Sequence, residues 1–158
     1  LESFPPLERR WAPVTEAAVR WPNDGPITLS GKVDILFGRP RGRESRKGLI
    51  DLKTGRPHVS HRQDLGFYAL LETLVREVPP RKVATFYLDS AETHAETVTE
   101  SMLVTAMRRT LDGINAIIEL GSEGRAPTRR PGSRCRWCPI ATECEDGQAY
   151  LSTRSSAG

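Results

Sequence analysis

Apolar positions in the first third of the chain group into short runs that predict β-strands. Runs at 27–37 and 48–53 predict two strands, each bounded by Gly- or Pro-containing turn signals. Residues 14–21 predict an earlier strand, joined to the first run by a hairpin through the turn residues 22–26. Between the two main runs, residues 38–47 are rich in arginine, and this composition predicts a solvated, mobile loop.

The remaining core elements are predicted to be two helices and two further strands. A helix opens at Ser60, where Ser60 and Gln63 form a capping box, and it ends at a Pro-Pro pair. Apolar runs at 82–89 and, more weakly, 91–98 predict strands. A second helix is predicted over 99–120, with an apolar stripe made of Leu103, Met107, Leu111, Ile114, Ile117 and Ile118. Strands with intervening helices indicate an α/β domain around a mixed sheet.

Charged residues interrupt the two main apolar strands. Asp34 lies in the first, and Asp51 and Lys53 share one side of the second. Charges inside apolar strands are usually paired or bind a metal. If the strands pair, Asp34 and Asp51 converge on one cation of the Mg²⁺ type, which one or two carboxylates and waters can hold. The alternative is a hairpin with two exposed acids, in which Lys53 merely screens Asp51.

The composition indicates a globular domain and argues against a membrane-spanning protein. The chain has 158 residues, 37% of them hydrophobic and 27% charged, which suits one globular domain of ordinary size. A net charge of +3 is compatible with a polyanionic partner without identifying one. We find no apolar run long enough to span a membrane and no signal peptide. We therefore expect no membrane partner and a cytoplasmic location.

A cysteine cluster near the C-terminus is the second candidate site. Cys135, Cys138 and Cys144 follow the pattern C-x₂-C-x₅-C, which is typical of a bound metal centre in a reducing compartment. Zinc takes four ligands, often including histidine, but no histidine lies near this cluster in the sequence. A zinc site, free or oxidised thiols, and three unrelated buried cysteines stay open as alternatives.

Read together, these motifs resemble one nuclease family. Gly31-Lys32-Val33-Asp34, then Ile50-Asp51-Leu52-Lys53-Thr54-Gly55, then a helix with Tyr68-Ala69-Leu70-Leu71, resemble the PD-(D/E)XK nuclease superfamily. The likeness is closest to its RecB-like branch, which includes helicase-linked nuclease domains and CRISPR-associated exonucleases. The resemblance implies a restriction-endonuclease-like fold, with a mixed central sheet flanked by helices and a C-terminal cysteine-cluster segment.

The resemblance also implies roles for individual residues. Asp34, Asp51 and the Leu52 carbonyl would bind Mg²⁺ or Mn²⁺, and Lys53 would be the catalytic lysine. Asp64 stands where the family has a glutamine, and Asp64 shares a helix face with Tyr68, so both are placed at the site. Gln63 is a weaker candidate, because its capping role explains it. The helix that precedes the first strand in the family does not fit within residues 1–26, so we expect an N-terminally truncated domain.

For the cysteines, the resemblance implies a [4Fe–4S] cluster. In RecB-like nucleases such a triplet joins one distant upstream cysteine, which this chain of three cysteines lacks. Cluster ligation normally needs four thiolates. We therefore expect the cluster in the intact protein, and a labile or empty site with only Cys135, Cys138 and Cys144.

Two arginine-rich segments, 39–47 and 125–136, are candidates for phosphate contacts. The alternative for each is a solvated loop, and neither interleaves aromatic residues in a way that suggests base stacking. The candidate contacts are Arg39, Arg41, Arg43, Arg129 and Arg130.

We therefore expect a nuclease core over 1–134, a cysteine-cluster segment over 135–151 and a disordered tail over 152–158. The expected function is metal-dependent hydrolysis of DNA, of the RecB-like exonuclease type, in repair, recombination or defence, with DNA and a helicase or other nuclease-complex subunit as partners. The alternative is a catalytically silent nuclease fold that binds DNA or serves as a structural module of such a complex.

Overall fold

The computed structural model describes residues 4–21, 27–41, 44–122 and 124–155. Seven strands lie within these ranges: β1 (Val14–Trp21), β2 (Leu29–Phe37), β3 (Pro40–Arg41), β4 (Glu44–Ser45), β5 (Gly48–Lys53), β6 (Lys82–Tyr87) and β7 (Glu92–Thr97). Three α-helices accompany them: α1 (Val59–Arg76), α2 (Glu100–Ser122) and α3 (Glu145–Ser155).

Five of the strands form one mixed sheet in the order β1-β2-β5-β6-β7. The β1–β2, β2–β5 and β6–β7 pairs are antiparallel, whereas β5 and β6 are parallel. A parallel pair needs a long crossover connection, and α1 supplies it between β5 and β6. The α/β fold with a mixed sheet and flanking helices is confirmed.

Helix α1 packs on the sheet, and the two together form most of the core. Its residues Leu65, Ala69 and Leu71 are nearly inaccessible and pack with Val33 and Leu49 of the sheet. Complete burial of a leucine or valine side chain contributes roughly 1.5–3 kcal/mol, and that of the smaller Ala69 contributes less. The spacing of four residues from Leu65 to Ala69 keeps these side chains on one helix face, as the sequence predicted.

The start of α1 differs from the prediction. The N-cap residue is His58, whose Nδ1 accepts a hydrogen bond of 3.1 Å from the Ser60 N–H. The predicted capping box of Ser60 and Gln63 is therefore wrong. An imidazole nitrogen can satisfy an orphan amide of the first turn as a hydroxyl does, and His58, two residues before Ser60, takes this role.

Helix α2 also differs from the prediction in the face that it buries. Met102 and Ala106 are its buried residues, and Gly66 of α1 lies against both, since a Cβ at Gly66 would be 3.6 Å from the Ala106 Cβ. Within the predicted apolar stripe, Leu103 packs against the core, whereas the following members are exposed: Met107, Leu111, Ile117 and Ile118.

Lys47 lies at the end of the segment that was predicted to be a solvated loop, and there the prediction fails. The Lys47 residue is only 8% exposed, and its ammonium contacts the carboxylate of Glu72, which is 1% exposed. The ion pair joins the residue before β5 to the middle of α1. The rest of the segment contains the short β3–β4 hairpin, and Gly42 and Arg43 lie outside the described residues.

The chain divides into two units, residues 1–114 and 115–158. In the second unit a 3-10 turn at Ser133–Trp137 precedes α3. Helix α3 continues to Ser155, and the rest of the tail that was predicted to be disordered lies outside the described residues. Among the described residues, no helix combines the length and apolar character needed to cross a bilayer.

Candidate active site

The site forms where β2 and β5 separate. Their antiparallel pairing ends with Ile35 opposite Ile50, so the next step of the same register brings Asp34 beside Asp51. At this point the Leu52 N–H donates a hydrogen bond of 2.7 Å to Asp34 Oδ2. The Asp34 side chain thus satisfies a backbone donor at the end of the ladder, and it is held next to Asp51.

Asp51 is a buried carboxylate with an unsatisfied oxygen. The residue is 4% exposed, and in the described part of the chain no group makes a hydrogen bond of good geometry to Oδ2. The Lys53 ammonium lies 3.0 Å from this oxygen as an ion pair. Burial raises the pKa of Asp51, the Lys53 charge opposes this shift, and the Asp34 and Asp64 carboxylates add to it.

Lys53 lies between two carboxylates. Its Nζ is 3.0 Å from Asp51 and 3.6 Å from Asp64 Oδ2, and its side chain is 26% exposed. Burial by itself lowers the pKa of Lys53, but the attraction of Asp51 and Asp64 outweighs burial and the pKa is raised. The ammonium is therefore held in its charged form at the edge of the site.

Tyr68 completes the cluster from α1, four residues after Asp64 on the same helix face. A Cβ at Gly31 would lie 2.9 Å from the Tyr68 ring, so only glycine leaves room for this ring over β2. Burial raises the pKa of Tyr68, and the nearby Asp51 carboxylate raises it further. The structure therefore brings together the predicted residues Asp34, Asp51, Lys53, Asp64 and Tyr68.

The donor set is suited to a hard divalent cation. Two adjacent carboxylates, Asp34 and Asp51, and the backbone of Leu52 offer oxygen ligands, and the buried Asp51 Oδ2 has the Lys53 ammonium as its ion-pair partner. Within the described ranges, however, no group of three or more His, Cys, Asp or Glu side chains is arranged to hold a metal ion. The two carboxylates still meet the requirement of Mg²⁺, which retains several waters and binds substrate phosphates.

Gln63, the weaker candidate, does not join this cluster. It is exposed and lines a groove between α1 and α2 with Gly66, Met102 and Ala106.

Sequence reasoning missed a second cluster beside the site. His61 and His94 contact Tyr87, which lies opposite Lys53 in the β5–β6 register, and His58 lies beside His61. His61 Nδ1 lies 3.1 Å from the Tyr87 hydroxyl, and the ring centres of Tyr87 and His94 are 5.2 Å apart. His58 is 6.0 Å from His61 by the same measure. His58 and His61 lie at the start of α1, whereas Tyr87 and His94 lie on the paired strands β6 and β7, so only the tertiary structure brings the cluster together.

The three cysteines lie in the C-terminal unit. A Cβ at the buried Gly147 would be 3.4 Å from Cys144 Sγ and 3.6 Å from Cys135 Sγ, so these two sulfurs surround the same glycine. The Gly132 N–H also donates a hydrogen bond of 3.3 Å to Cys135 Sγ. Cys138 is half-buried, like the other two cysteines. In the described part of the chain, the three do not form a group arranged to hold a metal.

The predicted arginine contacts differ in their surroundings. Arg39 and Arg130 are exposed, and Arg129 lies 3.5 Å from Asp146. Arg43 lies outside the described residues, and the side chain of Arg41 is not among those described.

Comparison with known proteins identifies a family that fits this geometry. The family model described as the PD-(D/E)XK nuclease superfamily matches residues 3–145 of the 158-residue chain. No curated protein shows significant similarity to the chain.

Two solved structures match the chain, and the one with a TM-score above 0.5 shares its fold. A protein from Eubacterium rectale named "Putative exonuclease" is 11% identical with a TM-score of 0.52, and the match covers 82% of this chain and 51% of that one. The protein SSO0001 is 18% identical with a TM-score of 0.47, covering 86% of this chain and 61% of that one. The chain thus spans only about half to three fifths of the length of these two proteins.

Proposed function

The chain belongs to the PD-(D/E)XK nuclease superfamily, and from this premise we propose that it is a metal-dependent DNA nuclease that hydrolyses phosphodiester bonds. The observation that carries the proposal is the buried, unsatisfied Asp51 Oδ2, beside Asp34 and 3.0 Å from the Lys53 ammonium. An ion pair of Asp51 and Lys53 with a purely structural role would not need Asp34 as well, because the charge of Asp34 raises the cost of burying the charged Asp51. A bound cation would offset the charge of both carboxylates.

In this proposal Asp34, Asp51 and the Leu52 carbonyl hold the cation. Mg²⁺ or Mn²⁺ bound there supplies Lewis-acid chemistry, which polarises the phosphate and makes bound water more acidic. Asp34 is already oriented for this role. Its Oδ2 accepts a hydrogen bond from the Leu52 N–H, and its other carboxylate oxygen would bind the cation.

Lys53 stabilises the negative charge that develops on the phosphate oxygens and orients the attacking water. Its ammonium lies at the boundary between the buried Asp51 and the more exposed Asp64, where a phosphate from solvent can reach it. Asp64 holds the lysine in place, and Tyr68 positions the lysine or the substrate.

The proposal is tested by replacing Lys53 with alanine. Lys53→Ala is expected to abolish Mg²⁺-dependent cleavage of DNA and to leave DNA binding intact, because the lysine acts on the charge of the transition state. The matched control is Lys82→Ala: Lys82 is exposed at the other end of the neighbouring parallel strand, where it pairs with Gly48. Cleavage by Lys53→Ala at the wild-type rate would refute the assignment, whereas equal losses in both variants would indicate a general effect of lost positive charge.

We further propose that the activity is of the RecB-like exonuclease type, with a role in DNA repair, recombination or defence and with a helicase or another nuclease-complex subunit as partner. The support is the motif order from Gly31 to Tyr68 together with the C-terminal cysteine triplet. An assay with linear and closed circular DNA tests the type of activity, since an exonuclease degrades only the linear form.

We also propose that Cys135, Cys138 and Cys144 provide three thiolates of a [4Fe–4S] cluster in the intact protein, with the fourth from outside these residues. The support is the placement of two sulfurs around Gly147 and the N–H donor on Cys135; such donors stabilise thiolates. Iron and acid-labile sulfide after anaerobic purification would support a cluster. Stoichiometric zinc without iron would contradict it.

A second candidate function is a catalytically silent nuclease fold that binds DNA or serves as a structural module. It is favoured by the small number of acidic ligands, since in the described part of the chain Asp34 and Asp51 are not joined by a third. Absence of cleavage by the intact, metal-supplied protein, with DNA binding retained, would select this candidate.

A further inference from the structure

The C-terminal unit displays a tryptophan that packing does not explain. Trp137 is 77% exposed, the highest value among the large hydrophobic residues in the described part of the chain. Exposure of so large an apolar ring leaves a substantial hydrophobic area in water. An indole held in this way is suited to a partner that offers a flat, apolar face.

The backbone beneath Trp137 is held by hydrogen bonds. The Cys135 N–H donates to the Gly132 carbonyl at 3.0 Å, and the Cys138 N–H donates to the Cys135 carbonyl at 3.3 Å. Trp137 therefore lies at the end of an ordered 3-10 turn, between two cysteines. Because the backbone is already ordered, less conformational entropy is lost when the ring binds a partner.

A groove opens beside this ring within the same unit. It has a volume of about 410 Å³ and is lined by Ser133, Arg136, Trp137, Tyr150 and Leu151. We call these five residues the Trp137 platform. The groove combines two aromatic residues, a hydroxyl and a guanidinium, and its volume lies in the range of small-ligand sites.

The segment that leads into the platform is basic, whereas Glu143, Glu145 and Asp146 follow it. Residues 125–136 contain five arginines and no acidic residue. Arg125 pairs with Glu119, and Arg129 lies near Asp146. The other three have no ion-pair partner within the described ranges and are exposed: Arg130, Arg134 and Arg136. A polyanion that also carries flat rings matches both features of the surface.

We propose that the Trp137 platform binds single-stranded DNA, with an unpaired base stacked on Trp137 and the neighbouring phosphates contacted by Arg130, Arg134 and Arg136. Single strands fit better than duplex, because the base faces of a duplex are already stacked on one another and are not accessible to an indole. The proposal rests on the proposed function only in that the substrate is DNA. It adds a binding subsite in the C-terminal unit, where the sequence suggested no stacking.

The test measures binding by fluorescence anisotropy, with a labelled single-stranded oligonucleotide and no Mg²⁺ or Mn²⁺ in the buffer, so that no cleavage occurs. Trp137→Ala is expected to weaken binding by about 5- to 150-fold, the range for loss of one stacked base. Trp137→Phe keeps an aromatic face and should stay within a few-fold of the wild type. The matched control is Ile140→Ala, which removes an apolar residue that is 57% exposed in the same segment.

Salt dependence separates stacking from charge. Arg136→Gln should reduce the slope of log K against log salt concentration by about 0.7, the value for one phosphate contact on a single strand. Trp137→Ala should weaken binding without changing that slope. Duplex DNA of the same length should show little response to Trp137→Ala.

Three results would overturn the inference: unchanged affinity in Trp137→Ala, an equal loss in Trp137→Phe, or an equal loss for duplex DNA. Failure of the proposed nuclease activity is a separate outcome, because it is measured by cleavage in Lys53→Ala. Loss of binding on removal of Trp137 supports the subsite whether or not the protein cleaves DNA, and full binding without Trp137 refutes the subsite even if Lys53 proves essential.

Discussion

The buried ion pair between Lys47 and Glu72 leads to a quantitative prediction of stability. The Lys47 side chain is 9% exposed and that of Glu72 is 1% exposed, while Arg76 Nε lies 3.6 Å from Glu72 on the solvent side. Lys47→Met removes the buried partner and leaves the carboxylate in the core with only an exposed guanidinium beside it. We expect the free energy of unfolding to fall by about 3–5 kcal/mol, the usual cost of breaking a buried pair.

The double variant is expected to behave differently. Lys47→Met with Glu72→Leu removes both charges and fills similar volumes with apolar atoms. Because neither charge then has to be desolvated, we expect most of the lost stability to return, and stability at or above the wild type is consistent with other buried pairs. Arg76 is 58% exposed at its side chain, so water can replace its interaction with Glu72.

The matched control is the exposed pair of Arg62 and Glu96, at 2.8 Å with side chains 69% and 32% exposed. Arg62→Ala should cost less than about 1 kcal/mol, because solvent screens exposed pairs. Urea unfolding followed by far-ultraviolet circular dichroism gives all of these values. A cost for Lys47→Met no larger than that for Arg62→Ala would refute the reasoning, as would a double variant that is less stable than the single one.

Two further predictions concern the candidate active site. Gly31→Ala should destabilise the protein by about 1–3 kcal/mol and slow cleavage, because its Cβ would lie 2.9 Å from the Tyr68 ring and must displace it. The control is Gly113→Ala, at a helical position with nothing within 4 Å of the new Cβ, and it should stabilise the protein by about 0.5–1 kcal/mol. Thermal unfolding of both variants measures the two changes in stability. Equal effects on stability would contradict the steric argument. Asp51→Asn should stabilise the protein without bound Mg²⁺ or Mn²⁺ by about 1 kcal/mol at neutral pH. It removes a buried charge near the Asp34 and Asp64 carboxylates, while Lys53 keeps Asp64 as an ion-pair partner. The pKa of Asp51 is raised in the folded state, so its destabilising effect is absent below the unfolded pKa of about 3.9 and develops as pH rises through the folded pKa. The stabilisation by Asp51→Asn should therefore disappear in acid; a difference between the two proteins that does not vary with pH would contradict this assignment.

The main elements of the fold could be predicted because hydrophobic periodicity is a local property. The strand that ends at Phe37, the strand that ends at Lys53 and the helix between Ser60 and Arg76 each show their period within a few residues. The candidate site could be predicted for the same reason, since Asp34, Asp51 and Lys53 interrupt apolar strands where a charge is costly. Their convergence then followed from pairing two neighbouring strands.

Other features depended on contacts between distant segments. The buried face of α2 is set by the close approach of Gly66 to Ala106, so apolar periodicity predicted a helix but not the residues that it buries. Lys47 looked like the end of a basic loop because its partner, Glu72, is 25 residues away. The exposure of Trp137 depends on whether another part of the folded chain packs against its ring, and periodicity along the sequence does not show this.

The sequence by itself therefore determined the five strands of the main sheet, helices α1 and α2, the acidic strand pair and the cysteine spacing, because each depends on residues that are close along the chain. The short β3–β4 hairpin and α3 were not predicted. Only the tertiary structure decided the capping of α1 by His58, the burial of Lys47 with Glu72, the unsatisfied oxygen of Asp51 and the exposure of Trp137. The physical reason is that the free energy of a charge or a large ring depends on whether water or a partner reaches it. That access is a property of the packed chain.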